Sequence, residues 1–232
     1  MKIYIDRQKV NARAQAAHIA SVGGLLLLLV SVVLPLFLPK WSTWMSALMV
    51  LGAAGAMVGI YLANRWVRRP RPEESLDKAL RALDDQYHLY HYPASLPCEH
   101  ILLTPTGVLA LEVVNLSGSF SYRHGRWREA MTVGRALRYL VEERVSDPVV
   151  LAQAMVQEMS HRLDKDLEGQ VIAPIRAVTV FTHPAVDLEV EGGSVPACKI
   201  DKIRKQASIS GPRLAPDVYE KVSSYFERLT VP

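Results

Sequence analysis

One glutamate, Glu112, lies in a segment (residues 108–114) whose other side chains are all apolar. An ionised carboxylate in an apolar strand is costly unless it is paired or liganded, so we expect Glu112 to have a partner. A second acid, Glu99, precedes another apolar segment, residues 100–104. The simpler interpretation of Glu112 is that it ends its strand in water or keeps a hydrogen bond in a former site.

Other chemistries are not supported by the residue patterns. The sequence has no Gly-rich phosphate loop, no zinc-type Cys/His spacing and no serine elbow with triad partners. Cys98 and Cys198 stand far apart, and we expect reduced thiols in or near the core. The basic run at residues 199–205, with Lys202 and Arg204, is typical of a solvated helix face.

The two apolar segments are expected to form a hairpin inside a larger domain. A Pro-Thr-Gly turn joins them, and residues 108–114 predict a central strand that is buried on both faces. Apolar periodicity predicts helices that start near Glu73 and Asp147. Strands grouped between helices predict an α/β (or α+β) domain with three layers around a mixed sheet. Further strands are expected at 87–92, 119–122 and 175–182, and further helices at 201–206 and 217–229.

The hairpin segment, residues 98–118, reads CEHILLTPTGVLALEVVNLSG. It resembles the core of the nuclease-related domain (NERD) family, part of the PD-(D/E)xK nuclease-like superfamily. That pattern typically reads Ile-Asp-His, an apolar strand, Gly-Pro-x-Gly, then a second strand that ends Glu-x-Lys-Asn-x-x-Gly. The resemblance covers most of residues 72–206 and implies a restriction-endonuclease-like core with metal-dependent hydrolysis of DNA or RNA.

Carried over residue by residue, the resemblance implies that Glu73, Glu99 and Glu112 are metal-binding acids, with the Val113 carbonyl nearby. Residues two apart in a strand share a face, so the family's Glu and Lys converge on one site. Hard oxygen ligands suit Mg²⁺ or Mn²⁺, which would activate water and stabilise the phosphoryl charge. Glu99 and Glu112 are the expected core of this metal site.

The sequence departs from the family pattern at three positions. Val114 stands where the catalytic Lys is expected, and it can neither orient water nor stabilise an anion. Glu99 replaces an Asp, and Leu151 replaces a Gln, although Gln153 lies two residues on. Arg123 or Arg126 are candidate substitutes for the cation, but no spacing argument places either there.

Several of these residues also have structural interpretations. Glu73 suits the start of a helix, where the dipole favours an acid. His100 is more typical of a hydrogen-bonding histidine than of a ligand. Trp127 is expected in the core, and His124, which precedes a glycine in a turn, is expected in solvent.

Two uncharged segments near the N-terminus predict a transmembrane hairpin, since about 20 apolar residues cross a bilayer as a helix. A cleaved signal peptide fits less well because a second span follows at once, and core helices of a soluble protein rarely have such uncharged lengths. The expected organisation is a basic cytoplasmic segment at 1–17, a hairpin at 18–66 with spans at about 19–38 and 44–64, an Arg/Pro linker at 67–72 and a cytoplasmic NERD-like domain at 73–232.

The flanking charges predict the orientation of this hairpin. Clusters of Lys and Arg lie before the first span and after the second, whereas the connecting loop holds Lys40 alone. The positive-inside rule then places both termini in the cytoplasm, most simply at the plasma (inner) membrane of a prokaryote. Gly55 and Gly59 in the second span suit close helix packing, within the hairpin rather than between chains.

The excess of positive charge belongs to the anchor. Residues 1–71 hold nine Lys/Arg and one acid, which leaves 18 Lys/Arg against 22 Asp/Glu in the rest. The lipid bilayer is therefore the expected partner, and nucleic acid is a weaker candidate. We expect a membrane-anchored, nuclease-like scaffold with a degenerate site, acting in binding at the inner membrane surface with a protein partner that the sequence does not identify. The alternative is a metal-dependent nuclease with a depleted site.

Overall fold

The computed structural model describes residues 1–37, 42–130, 146–167, 173–191, 195–208 and 211–231. The helices are α1 (Arg7–Phe37), α2 (Ser42–Trp66), α3 (Pro72–Leu80), α4 (Pro148–Asp166), α5 (Ile203–Ala207, preceded by the 3-10 turn Ile200–Lys202) and α6 (Pro216–Thr230). The strands are β1 (Lys2–Ile5), β2 (His88–His91), β3 (His100–Thr104), β4 (Gly107–Val114), β5 (Gly118–Arg123), β6 (Arg126–Glu129), β7 (Ile175–Phe181), β8 (Val186–Val190) and β9 (Ala197–Lys199).

The described chain forms two compact units. One unit contains Met1–Asp6, Pro72–Ala130 and the described residues from 146 onward, and the other contains Arg7–Arg71. The soluble unit is therefore interrupted in sequence by the helical hairpin. In the sequence, its first strand precedes the hairpin, and its other described elements follow the hairpin.

The hairpin unit consists of α1 and α2, both long and apolar enough to cross a membrane. The first predicted span lies inside α1, except for Leu38, which is outside the described residues, and the second lies inside α2. Only 11% and 17% of the most apolar windows are buried, so their side chains are not those of a protein core. The Arg13 guanidinium of α1 lies 4.7 Å from the ring centre of Trp66 in α2, and Trp66 is buried.

Glycines of α2 pack against α1 inside the hairpin. A Cβ on Gly59 would lie 2.5 Å from the Ser21 amide nitrogen, and one on Gly55 would lie 3.4 Å from the Gly24 Cα. The helices therefore approach closely because these positions carry no side chain. This confirms the interpretation that Gly55 and Gly59 pack within the hairpin.

The soluble unit is built on a six-stranded mixed sheet in the order β1-β2-β3-β4-β7-β9. Strands β2, β3 and β4 are antiparallel to one another, whereas β1 pairs parallel to β2, and β4, β7 and β9 are parallel. Gly107 (φ 150°) opens β4 at a point where a side chain would collide with the Pro174 carbonyl. The predicted α/β fold with a mixed sheet is confirmed.

Helices cover both faces of this sheet. Met155, Met159 and Leu163 of α4 and residues of α6 pack on one face, with Val108 and Ala110 of β4. On the other face lie α3 and α5, whose apolar residues pack with Leu89, Leu102 and Leu109. Full burial of Leu76 and Leu80 contributes about 2 kcal/mol each to holding α3 on the sheet.

A smaller three-stranded sheet, in the order β6-β5-β8, lies beyond the end of β4. Its apolar cluster contains Phe120, Phe181 and Val186 as buried members, with Trp127 half-buried against them. The sequence predicts β5 and the His124-Gly125 turn but not β8 or β9. It also misses β1, because residues 2–5 are interpreted there only as part of a basic segment.

Candidate functional site

Glu99 and Glu112 lie on neighbouring chain segments and on the same face of the sheet. His100 pairs with Leu111 in the antiparallel register of β3 and β4, so continuing the register by one residue brings Glu99 opposite Glu112. Side chains that are directly opposite in an antiparallel pair share a face. Alternation along β4 puts Glu112 on the same face as Ala110, the face covered by α4 and α6.

The charges of both carboxylates affect the pKa of the Cys98 thiol. Burial raises the pKa of Cys98, and the negative charges of Glu112 and then Glu99 raise it further. Both carboxylates therefore act on one buried thiol, in agreement with the strand register. The prediction that both cysteines are free and buried is also confirmed.

Glu73 belongs to the helical layer on the other side of the sheet. It lies in the first turn of α3, and its side chain is 3% exposed. Its Oε2 accepts a hydrogen bond from the Tyr92 hydroxyl at 2.7 Å. The Glu73 carboxylate is thus both buried and hydrogen-bonded, whereas an acid at a solvated helix start would need to be neither.

Tyr92 contacts the side chain of one predicted acid, Glu73, and the backbone of another, Glu99. Its hydroxyl bonds Glu73, and its backbone amide donates to the Glu99 carbonyl at 2.6 Å. Tyr92 has φ 61°, a left-handed conformation that costs a bulky residue about 1–3 kcal/mol and persists only when neighbours enforce it. Sequence analysis does not single out this residue, because no local pattern signals a left-handed tyrosine.

The metal site predicted at Glu73, Glu99 and Glu112 remains a prediction. Among the described residues, which include all three, no group of three or more His, Cys, Asp or Glu side chains is arranged to hold a metal ion. Glu99 and Glu112 share a face, and Glu73 lies on α3, in the helical layer that covers the other face. Binding of Mg²⁺ or Mn²⁺ therefore stays a prediction, and no reaction step is derived from it.

Val114, at the position of the family's Lys, packs against apolar side chains. It joins the cluster around Phe120, Phe181 and Trp127, where the Phe120 and Trp127 rings stack with centroids 5.7 Å apart. Its carbonyl accepts a hydrogen bond from the Thr182 amide at 2.9 Å. This apolar environment suits an aliphatic side chain.

The two arginines proposed as substitutes lie in the small sheet. Arg123 donates to Glu189 of β8 at 2.6 Å, in an exposed ion pair. Arg126 is exposed across the β5–β6 hairpin from Arg123. His124, in the turn, is exposed as predicted.

The helix after Asp147 does not present the amide that the family pattern expects. Asp147 caps α4, its Oδ1 accepting from the Val149 amide at 2.9 Å. Leu151 packs partly buried against the main core, and Gln153 is exposed. Neither residue replaces the missing polar group.

His100 is a hydrogen-bonding histidine, as predicted, but its partner is unexpected. Its Nδ1 lies 2.8 Å from Nδ1 of His91, and Nε2 of His91 lies 2.9 Å from Asp77 Oδ1. Both histidines are at most 1% exposed. The Asp77–His91–His100 chain therefore ties α3 to the β2–β3 pair.

A second buried polar cluster joins β2 to α6. Ser223 Oγ lies 3.0 Å from both His88 Nδ1 and the Tyr90 hydroxyl. Burial is the main cause that lowers the pKa of His88. The cluster satisfies polar groups inside the core, so its simplest role is structural.

Comparison with known proteins identifies one family. Residues 71–182 match the family model described as nuclease-related domain (NERD). No curated protein and no solved structure matches the chain. The matched range holds α3, α4 and β2 to β7, whereas β1, β8, β9, α5 and α6 lie outside it.

Proposed function

We propose that this protein, whose residues 71–182 are a nuclease-related (NERD) domain, is held at a membrane by its helical hairpin and acts by binding rather than by phosphodiester hydrolysis. The packing of Val114 is the observation that carries this proposal. At the position of the catalytic Lys, the chain has an aliphatic side chain that belongs to an apolar cluster. Phosphoryl transfer depends on positioned cations, and this position supplies none.

The surface of the hairpin supports membrane anchoring. Large apolar side chains along both helices are exposed, which in water would form an aggregation-prone surface and in lipid is ordinary. The exposed residues include Ile19, Val22, Leu25, Leu26, Leu29, Val32, Leu36, Val50, Leu51, Val58 and Ile60.

The pairing of β1 with β2 supports the proposed topology. β1 precedes the hairpin and β2 follows it, yet the two strands pair over Lys2–Ile5 and His88–His91. This pairing supports a topology in which both flanks of the hairpin lie on one side of the membrane and the chain crosses it an even number of times. The basic flanks then favour the cytoplasmic side, for example of a prokaryotic plasma membrane.

Membrane anchoring is tested on the full chain expressed in bacterial cells. Alkaline carbonate should leave the chain in the membrane pellet, and protease should digest the soluble unit only in inside-out vesicles. A variant with charged residues in place of Leu26 and Leu29 is the matched control and should extract. A wild-type chain released by carbonate would overturn the anchor.

The alternative function, a metal-dependent nuclease, rests on the shared face of Glu99 and Glu112. Calorimetric titration of Mn²⁺ into the full chain in detergent separates the two candidates, with Glu112→Ala as control. The binding proposal predicts no heat that depends on Glu112. Binding that disappears in the control would favour the alternative, because it would show that the acids still form a cation site.

A further inference from the structure

The layer formed by α3 and α5 has a basic outer surface. Five exposed cationic side chains extend from it, and none forms an ion pair within the described part of the chain. The five residues are Lys78, Arg81, Lys202, Arg204 and Lys205. The layer is continuous, because Ile203 and Ala207 of α5 pack in the same apolar cluster as Leu76 and Leu80 of α3.

The acids of this layer are mostly engaged inside the domain. Glu73 is buried and bonded to Tyr92, and Asp77 is bonded to His91. Of the two other acids in the layer, Glu74 is half-buried in the first turn of α3 and Asp201 is exposed among the basic residues. The charge presented to the outside by this layer is therefore mainly positive, although the chain after residue 71 is acidic overall.

The opposite layer has a different balance. Acids outnumber bases along α4 and α6, and one of the bases, Arg162, is paired with Glu158 at 2.7 Å. The acids are Glu158, Asp164, Asp166, Asp217, Glu220 and Glu227, and the bases are Arg162, Lys165, Lys221 and Arg228. The α4/α6 layer thus has an excess of acids, whereas the outer surface of the α3/α5 layer has an excess of bases.

We propose that the outer surface of the α3/α5 layer docks onto anionic phospholipid headgroups. This inference rests on the membrane anchoring proposed above. α3 begins at Pro72, directly after the Arg/Pro linker, so the layer contains the point at which the soluble unit resumes after the hairpin. A tether of this kind keeps headgroups at high effective concentration, and basic clusters beside a membrane span bind anionic lipid.

Charge complementarity favours lipid over nucleic acid as the occupant. The patch is small and lies on a unit whose other face is acidic, which disfavours the long basic track that a free polyanion needs. Each basic side chain near an anionic surface strengthens docking about fivefold. Removing three of them should therefore weaken docking by roughly a hundredfold.

The test compares the full chain in nanodiscs of phosphatidylcholine with nanodiscs that also contain phosphatidylglycerol. Hydrogen–deuterium exchange of the peptide over residues 200–208 is measured in both. The proposal predicts slower exchange in the anionic nanodiscs, lost in 0.5 M salt and lost in a variant with Lys202→Gln, Arg204→Gln and Lys205→Gln. The matched control, Lys165→Gln with Lys221→Gln and Arg228→Gln on the opposite layer, should keep the protection.

Equal exchange in the two lipids, or loss of protection in the matched control, would overturn the docking proposal while leaving the anchor in place. A chain that does not enter nanodiscs would instead overturn the anchor and the docking together. A single-stranded oligonucleotide added to phosphatidylcholine nanodiscs should change nothing at residues 200–208. Protection by the oligonucleotide alone would assign the surface to nucleic acid and overturn the lipid assignment.

Discussion

A graded series of glycine substitutions tests the packing of the hairpin. At Gly59, a Cβ would lie 2.5 Å from the Ser21 amide nitrogen, well inside the 3.4–4 Å of ordinary contact. The two helices would have to separate by about 1 Å, and such overpacking costs about 1–3 kcal/mol. The better helix propensity of Ala returns about 1 kcal/mol, so Gly59→Ala should lower the free energy of unfolding by about 1 kcal/mol.

Two neighbouring positions give the matched controls. Gly55→Ala would make only an ordinary 3.4 Å contact with Gly24, and Gly23 has no atom within 4 Å of its Cβ position. We expect Gly55→Ala to be nearly neutral and Gly23→Ala to stabilise by up to about 1 kcal/mol. Gly59→Ala and Gly23→Ala should thus differ by about 2 kcal/mol, roughly a 30-fold change in the folded-to-unfolded ratio.

The assay is reversible SDS unfolding of the full chain in mixed micelles, followed by the fluorescence of Trp66. The other three tryptophans are replaced by Phe in every variant. Equal midpoints for the substitutions at Gly59 and Gly23 would refute the close approach of α1 and α2 at Ser21. They would also favour the other interpretation of these glycines, in which they pack between two chains.

Three further predictions concern the soluble unit, and each is measured by urea unfolding. His91→Ala should cost about 2–4 kcal/mol, and more than Asp77→Ala, because it leaves the buried Nδ1 of His100 without its partner; the reverse order would contradict a role for His91 in tying α3 to the sheet. Val114→Lys should destabilise by about 1–2 kcal/mol and give no DNA cleavage, because its surroundings are apolar; Mn²⁺-dependent cleavage would show that only the Lys is missing. Burial raises the pKa of Cys198 to about 12, so the free energy of unfolding of the wild type should fall as the pH rises above about 9. This thiol should contribute a loss of up to about 1.4 kcal/mol per pH unit, and Cys198→Ala should show less of it. Identical slopes for the two proteins would contradict a buried, protonated thiol.

Short sequence patterns predict the helices and strands whose bounds are determined by residues close to them in the sequence. The lengths of the uncharged segments predict α1 and α2, the 105–107 turn predicts the β3–β4 hairpin, and Asp147-Pro148 predicts the start of α4. β1 is missed because it has four residues and its partner β2 begins 86 residues later, at His88. Nothing in residues 2–5 distinguishes a strand from the basic flank of a membrane span.

The same reasoning applies to the candidate site. The strand register that aligns Glu99 with Glu112 follows from the hairpin turn, so their shared face is predictable from the sequence. The bond from Tyr92 to Glu73 depends on a left-handed tyrosine that only the tertiary structure enforces. The apolar surroundings of Val114 likewise come from β5, β6 and β7, which meet only after folding.

The position of β1 also decides which protein must be assayed. A fragment that starts at residue 72 would lack this strand and leave Leu89 and Tyr90 of β2, which are fully buried, beside an open sheet edge. Experiments on the site therefore require the full chain in detergent or nanodiscs.

Cleavage of nucleic acid by the full chain tests the central claim most directly. Supercoiled plasmid and single-stranded DNA and RNA are incubated with the chain in nanodiscs and Mg²⁺ or Mn²⁺, beside the Glu112→Ala variant purified in parallel. We predict that wild type and Glu112→Ala release the same trace of product, because Val114 stands where the family pattern has the Lys on which hydrolysis depends. Cleavage by the wild type that is lost in Glu112→Ala would contradict the account and establish a working nuclease.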